Sequence, residues 1–380
     1  MTTPSETRCK ALPDVDPTFL AQVREFIGKG ADRPGFIAPT PVSAAVIKQM
    51  TEAVGDRNPV YKDEAIARRS PLHGGLVAPP LWLQSWSMPG LDPEPDELLP
   101  DGTRYFHCAA RGQRRTQFDN PTIRDELNAL LDSQGFNAPI VTNTSYTVER
   151  YLRPGERPRF SSWIVEDVVG PKFTKLGTGF FASMRADVFV GEEKVSSIAQ
   201  RYLRYKPFDH EPDADAKPAT SVSAASRELP LPTLKPFHSD NEAMVRFDSV
   251  RVGDVLPDLV VRLSPTFVIS GALASQDFTD VHHDYPMMGT RGHPTIFMNT
   301  ITASGLIGRY VTDWTGPDAA VRFHDLQLGR PNYAGDTLRL TGMVRAAKSV
   351  EGRRLVTVAI TGHNGFGKCM DSRVIVQLAN

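Results

Sequence analysis

One repeat constrains this chain more than any other feature. Residues 53–63 read Ala-Val-Gly-Asp-Arg-Asn-Pro-Val-Tyr-Lys-Asp, and residues 274–284 read Ala-Ser-Gln-Asp-Phe-Thr-Asp-Val-His-His-Asp. Ala, the first Asp, Val and the last Asp coincide. In each copy an apolar segment begins about twenty residues after the first Asp. Two copies in matching contexts mark a duplicated module. The 380 residues suit two units of ordinary size rather than one small core.

Residues 208–233 are small, acidic and interrupted by Pro212, Pro218, Pro230 and Pro232, with little to bury. They read as an inter-domain linker. The expected division is an N-terminal domain over 1–207, a linker over 208–233 and a C-terminal domain over 234–380.

The C-terminal half is the easier to read. A strand is expected over much of 258–269, interrupted or bent at Pro265. A polar turn follows at 277–292. The stretch from Ile296 to Val311 has apolar residues at helical spacing and no Pro, so a buried helix is expected there. Strands are expected at 319–328, 336–346, 354–363 and 369–379, where residues such as Leu338-Arg339-Leu340-Thr341 alternate. A long helix followed by antiparallel strands is an α+β pattern. The N-terminal half repeats it, with a helix at Pro41–Val54 and an apolar segment at Leu76–Trp86. Its strands are expected at 103–110, 143–152, 160–169, 178–190 and 194–206. An insertion at 114–139 holds a helix at Thr122–Leu131.

The bulk numbers exclude several functions. Net charge is −1, with 40% hydrophobic and 23% charged residues, a globular composition. Nothing calls for nucleic acid or an anionic membrane. Met1–Pro13 is polar and lacks the apolar core of a signal peptide. Apolar runs such as Leu76–Leu83 are far short of a membrane span. Cys9, Cys108 and Cys369 are scattered without CxxC spacing, which argues against a disulfide framework and a thiolate zinc site. A cytoplasmic protein without a cofactor is expected.

The repeat also suggests chemistry. Positions i and i+5 lie about 140° apart on an uninterrupted helix, so Asp277 and His282 meet only where a helix ends in a turn. Asn58-Pro59 supplies a turn signal in the first copy, and Thr279-Asp280 can supply one in the second. An Asp and a His at one point can bind and polarise water. A helix starting nearby offers unpaired N–H groups that can hold a carbonyl oxygen as it gains charge. Water activation plus such an oxyanion site is what hydration of a conjugated thioester requires.

Ala274–Asp284 and the apolar segment after it resemble the hydratase motif of the MaoC-like hot-dog family, Gly-Asp-x-Asn-Pro-x-His. The resemblance implies a tandem (double) hot-dog fold, each unit an antiparallel sheet wrapped around a central helix. It also places Asp277 and His282 on the family's catalytic positions. Gln276, Thr279 and Asp280 stand where the family has Gly, Asn and Pro, a departure that points away from an ordinary fatty enoyl-CoA.

A closer resemblance joins Ala274–Asp284, Ile296-Phe297-Met298-Asn299 and Arg309–Pro317 to the small catalytic subunit of steroid side-chain enoyl-CoA hydratases. Gly55–Tyr61 and His73–Pro80 resemble the MaoC-like part of their larger subunit. Both subunits would thus be fused in one chain, with the resemblance spanning most of 20–207 and 240–380. It implies a steroid C22 17(20)-enoyl-CoA as substrate, a homodimer, and a downstream aldolase as a partner. The zinc-bearing domain through which that family docks its aldolase has no Cys-rich counterpart here. By alignment with the family's Gly, the backbone N–H of Ile296 is the expected oxyanion donor. Asn299 is a candidate substrate-binding residue, facing either the ligand or a helix neighbour.

In the first copy Tyr61 takes the His position. A phenol with an ordinary pKa of about 10 is a poor base at neutral pH. Asp56 and Tyr61 therefore read as a degenerate second site, with the N-terminal half offering a wall and room for a bulky acyl group. Taken singly, Asp277 reads as a turn cap and His282-His283 as a polar loop pair. The duplicated context and the family match favour catalysis. A metal at His282-His283-Asp284 is disfavoured, because adjacent residues rarely chelate one ion and no third ligand is evident. Arg201, Arg204 and Lys206 are weighed as CoA phosphate contacts against a solvated strand face. Alternative functions are a fatty or polyketide acyl dehydratase, a hot-dog thioesterase, and a non-catalytic acyl-CoA-binding protein. The thioesterase is disfavoured because 296–311 carries no Asp or Glu.

Overall fold

A computed structural model describes residues 15–88, 90–91, 97–105, 122–174, 176–207, 245–290 and 293–379. In chain order the first half holds α1 (Pro17–Arg24), β1 (Phe36–Ile37), α2 (Ala44–Val54), α3 (Glu64–Arg69), β2 (Glu97–Leu98) and β3 (Arg104–Tyr105). It continues with α4 (Ile123–Ser133), β4 (Ala138–Val148), β5 (Arg159–Phe160), β6 (Ile164–Phe173), β7 (Gly177–Val190) and β8 (Glu193–Pro207). The second half holds β9 (Val255–Arg262), α5 (Pro265–Ser275), α6 (Tyr285–Thr290), α7 (Thr300–Thr315), β10 (Ala319–Leu328), β11 (Thr337–Val350), β12 (Arg353–Asn364) and β13 (Gly367–Leu378). Short 3-10 helices lie at Pro59–Tyr61, Pro80–Ser87 and Asp280–His282. The expected linker, 208–233, falls outside the described residues, as do Cys9, Cys108 and most of the expected strand at 103–110.

One eleven-stranded sheet runs through both halves in the order β1-β5-β7-β8-β4-β10-β13-β12-β11-β9, with β6 on β7. Its pairings are antiparallel, and the halves join where β4 pairs β10, Tyr146 opposite His324 and Thr144 opposite Leu326. Buried and less buried residues alternate along β10 to β13, because successive side chains point to opposite faces. The inner face packs against α2, α5, α7 and the 80–87 helix in one core cluster spanning both halves. A smaller cluster seats α1 and α4 on β6, β7 and β8. No helix among the described residues is long and apolar enough to cross a membrane.

The α+β architecture and most expected strands are present. Two expectations are corrected. The chain over 258–269 is not one strand: β9 stops at Arg262 and α5 begins at Pro265. Ser264 caps it by accepting the Phe267 N–H at 3.1 Å, with Pro265 at the first turn, where its missing N–H costs nothing. The long helix starts at Thr300 rather than Ile296. Asn299 Oδ1 accepts the Thr302 N–H at 2.7 Å and fixes that start, and Gly316 at φ 82° ends the helix after Thr315.

Candidate active site

The repeat is a structural duplication. α2 and α5 both end in a left-handed residue, Gly55 at φ 67° and Gln276 at φ 59°. The following Asp N–H then bonds back into the helix, Asp56 to Thr51 O at 2.7 Å and Asp277 to Ala272 O at 3.0 Å. A 3-10 turn comes next in each copy. The Tyr61 N–H reaches Asn58 O at 3.2 Å, and the His282 N–H reaches Thr279 O at 3.0 Å. Gln276, Thr279 and Asp280 thus build the same turn as Gly55, Asn58 and Pro59, and the departure from the family's motif leaves the loop shape unchanged.

That turn brings Asp277 and His282 together, with His282 Nε2 3.5 Å from Asp277 Oδ2. The Thr279 hydroxyl donates to Asp277 Oδ1 at 2.8 Å and steers the other oxygen toward the ring. His282 Nδ1 lies 2.8 Å from Phe297 O. A carbonyl only accepts, so Nδ1 carries the proton and Nε2 of the neutral ring presents its lone pair. Two acceptors 3.5 Å apart do not bond each other, and a water lying beside both can donate one proton to each. The Phe297 peptide is itself held firmly: its N–H donates to Val281 O at 3.1 Å, while Met298 N–H donates to Asn332 O and Ala334 N–H to Ile296 O. The Phe297 ring stands edge-on to His282 at 5.2 Å. This carbonyl escaped the sequence reading, since no residue type signals it.

Ile296 is fully buried, and its N–H has no acceptor among the described residues. It lies four residues before α7, so the helix end does not supply its polarity. Asn299 is buried, and its amide is engaged by the helix it caps and by Ser275 Oγ at 2.7 Å. Asp284 Oδ1 accepts the Met287 N–H at 3.3 Å, a structural role.

The first copy is closed. Asp56 and Tyr61 are 3% and 4% exposed. Burial pushes the Asp56 carboxyl up to about 6, with the nearby Asp313 adding to it, and burial holds the Tyr61 phenol well above 10. Arg309 of α7 donates to Val54 O, at the end of α2, and pairs with Asp313 at 3.1 Å. The Lys62 ammonium donates to Asp56 O. Among the described residues the second copy has no such cover from a matching helix. The Val77 N–H bonds Val60 O as Phe297 N–H bonds Val281 O. Counted from that shared contact, Pro89 and Pro93 are the first half's sequence equivalents of Arg309 and Asp313. The helix there is 3-10 and stops at Ser87, as expected before a proline that can neither donate nor continue it. Arg204 pairs with Asp132 and donates to Phe136 O, and Arg201 stacks over Phe181, so both serve the first half's structure.

No family model matches the chain. It is 46% identical over 116 residues to the 3-oxo-4,17-pregnadiene-20-carboxyl-CoA hydratase beta subunit of Mycobacterium tuberculosis, a match covering 30% of this chain and 87% of that subunit. It is 35% identical over 223 residues to the alpha subunit of the same enzyme, covering 55% of this chain and 62% of the relative. The chain thus spans less than two thirds of the alpha subunit's length, and the two matches together fit both subunits carried on one chain. Among solved structures, a MaoC-like dehydratase superposes with a TM-score of 0.64 at 16% identity, covering 94% of this chain and all of that one. The fold is the double hot-dog, and by its identity to the beta subunit this chain belongs to the family of pregnadiene-carboxyl-CoA hydratase subunits.

Proposed function

We propose that this protein hydrates an α,β-unsaturated acyl-CoA at Asp277 and His282, with a steroid C22 17(20)-enoyl-CoA as the substrate. The observation that carries this reading is the fixed tautomer of His282, whose bare Nε2 faces the Asp277 carboxylate at 3.5 Å. A water held there by both acceptors points its oxygen at an incoming β-carbon. As the C–O bond forms, the C=C electron pair moves onto the thioester oxygen and one water proton passes to the Asp277/His282 pair. The buried Ile296 N–H meets the oxygen that gains charge. The pair then returns a proton to the α-carbon as the enolate collapses. Asn299 acts by placing the start of α7 rather than by touching the acyl group.

Room for a rigid, bulky acyl group is supported by the asymmetry of the halves. α7 covers Asp56, whereas its counterpart ends at Ser87 before reaching the equivalent place over Asp277. The division at 208–233, a cytoplasmic homodimer and a downstream aldolase partner belong to the same proposal. Support for the assembly comes from relatives named as alpha and beta subunits of one hydratase.

The test is incubation with a steroid 17(20)-enoyl-CoA and with crotonyl-CoA while following loss of the enoyl absorbance. Turnover of neither would sink the hydratase. Release of free CoA would make the protein a thioesterase. Asp277→Asn and His282→Ala should each lower kcat by about 10²–10⁴ with the thermal transition unmoved; full activity in either would reassign the pair.

A further inference from the structure

Beside the catalytic pair a ladder of rings leads to the surface. From His282 the steps run to Phe297 at 5.2 Å, to Tyr333 at 6.0 Å and to Phe366 at 5.5 Å. Tyr333 is nearly buried, with its hydroxyl 2.9 Å from His293 Nδ1. Phe366, at the tip of the β12–β13 hairpin, is 41% exposed. An exposed aromatic on a turn is ordinary; the way this one is held is not. Both oxygens of the buried Asp336 carboxylate accept the Gly365 N–H, at 3.1 and 3.0 Å. Asn364 Nδ2 donates to Pro331 O and Asn332 Oδ1, both at 3.0 Å, and Asn364 Oδ1 accepts the Phe366 N–H at 2.9 Å. Buried groups therefore fix the tip that displays the ring, which lowers the ordering cost of any ligand it meets.

The same contacts tie a cation-bearing loop to the hairpin. The Pro331 and Gly329 backbones bond the hairpin, Gly329 N–H to Cys369 O at 2.8 Å, so exposed Arg330 sits in the loop held beside it. Arg330 makes no ion pair among the described residues. Lys368, just past the turn, pairs among the described residues with a half-exposed Asp371. A held aromatic face, with one cation on its own hairpin and another on the loop bonded to that hairpin, suits a purine bearing phosphates.

We propose that Phe366, with Arg330 and Lys368, grips the adenosine 3′,5′-bisphosphate end of CoA. The pantetheine arm would run along the Tyr333–Phe297 ladder to the thioester at Asp277 and His282. This rests on the hydratase reading for the thioester but not for the nucleotide. Base stacking on one aromatic face corresponds to roughly a tenfold change in affinity or more.

Phe366→Ala and Arg330→Ala alter exposed side chains and leave the catalytic pair untouched. For crotonyl-CoA, each should raise KM about tenfold with kcat unchanged. For crotonyl-pantetheine, which lacks the nucleotide, neither should change KM. Equal effects on both thioesters, or none on either, would overturn the site. Binding of adenosine 3′,5′-bisphosphate, measured by calorimetry, is the second arm. Binding to the parent protein that weakens about tenfold in Phe366→Ala supports the site even where no thioester turns over, the result that would defeat the hydratase alone. Equal binding by both proteins, or none by the parent, overturns it.

Discussion

At the scale of single residues, the two copies of the repeat differ in what surrounds the same turn. Asp56 and Tyr61 sit on the same turn as Asp277 and His282, but Arg309 and Asp313 of α7 occupy the space over them. Tyr61→His should therefore leave the chain with one functional site; titration with a tight-binding enolate analogue should still give one equivalent per chain. Two equivalents would mean that the missing imidazole alone had silenced the first copy. Gln276 makes a complementary case. It holds a left-handed conformation that favours glycine, and the first copy has Gly55 there. Gln276→Gly should raise the free energy of unfolding in urea by about 0.5–1 kcal/mol and leave kcat within twofold. Asp277 and His282 were legible in the sequence because the repeat and the motif mark them. The Phe297 carbonyl that orients His282 and the Arg309 plug were not, since both depend on contacts between segments far apart in the chain.

At the scale of elements, legibility followed periodicity. The strands after α7 alternate cleanly and were read nearly to their ends. α5 was misread because its residues are apolar on every side, so no stripe separates a buried helix from a buried strand; Ser264-Pro265 was the signal that could have decided it. The meeting of α7 with the 80–87 helix depends on Gly305. A Cβ there would come within 2.2 Å of Trp82 Nε1. Gly305→Ala should lower stability by about 1–3 kcal/mol through overpacking, although alanine is the better helix former; a raised melting temperature would refute this contact. The seam between β4 and β10 has its own signature. His324 is stacked on Tyr146 at 5.8 Å, and neither of its ring nitrogens has a partner among the described residues. Burial holds His324 down to about 3. Burial also holds His73 down to about 4, against the pull of the Ala319 carbonyl. Both values lie below the ordinary 6.5, so below pH 6.5 the unfolded chain binds more protons than the folded one, and stability falls with pH toward 4 and 3. Asp56 acts oppositely: raised to about 6, it favours the fold below 3.8 and loses that contribution as pH rises through 6. Asp313, also raised by burial, acts with Asp56 against the two histidines, so the clear readout is the single site: His324→Phe should make the urea midpoint fall less, or rise more, between pH 6.5 and 4 than in the parent.

At the scale of the whole molecule, two hot-dog units share one sheet, and the duplication that announced them in the sequence recurs turn for turn in space. Their inequality was legible only in part. Tyr61 marked the copy proposed to be silent, but the counterpart of α7 is shorter, ending at Ser87 two positions before Pro89 in the sequence, a stop that an apolar segment read for its hydrophobicity alone does not disclose. The pairing of β4 with β10 has a consequence for molecularity. Hydrogen bonds of this kind close equally well within one chain or between two, but only between two does closure depend on dilution. In this protein joining the halves is a first-order event, and their one-to-one ratio is set by translation rather than by the abundance of two gene products. Specific activity should therefore hold constant from micromolar to nanomolar protein. A protease site placed within 208–233 and cut after folding should leave both fragments eluting together when concentrated, with activity that now decays on dilution.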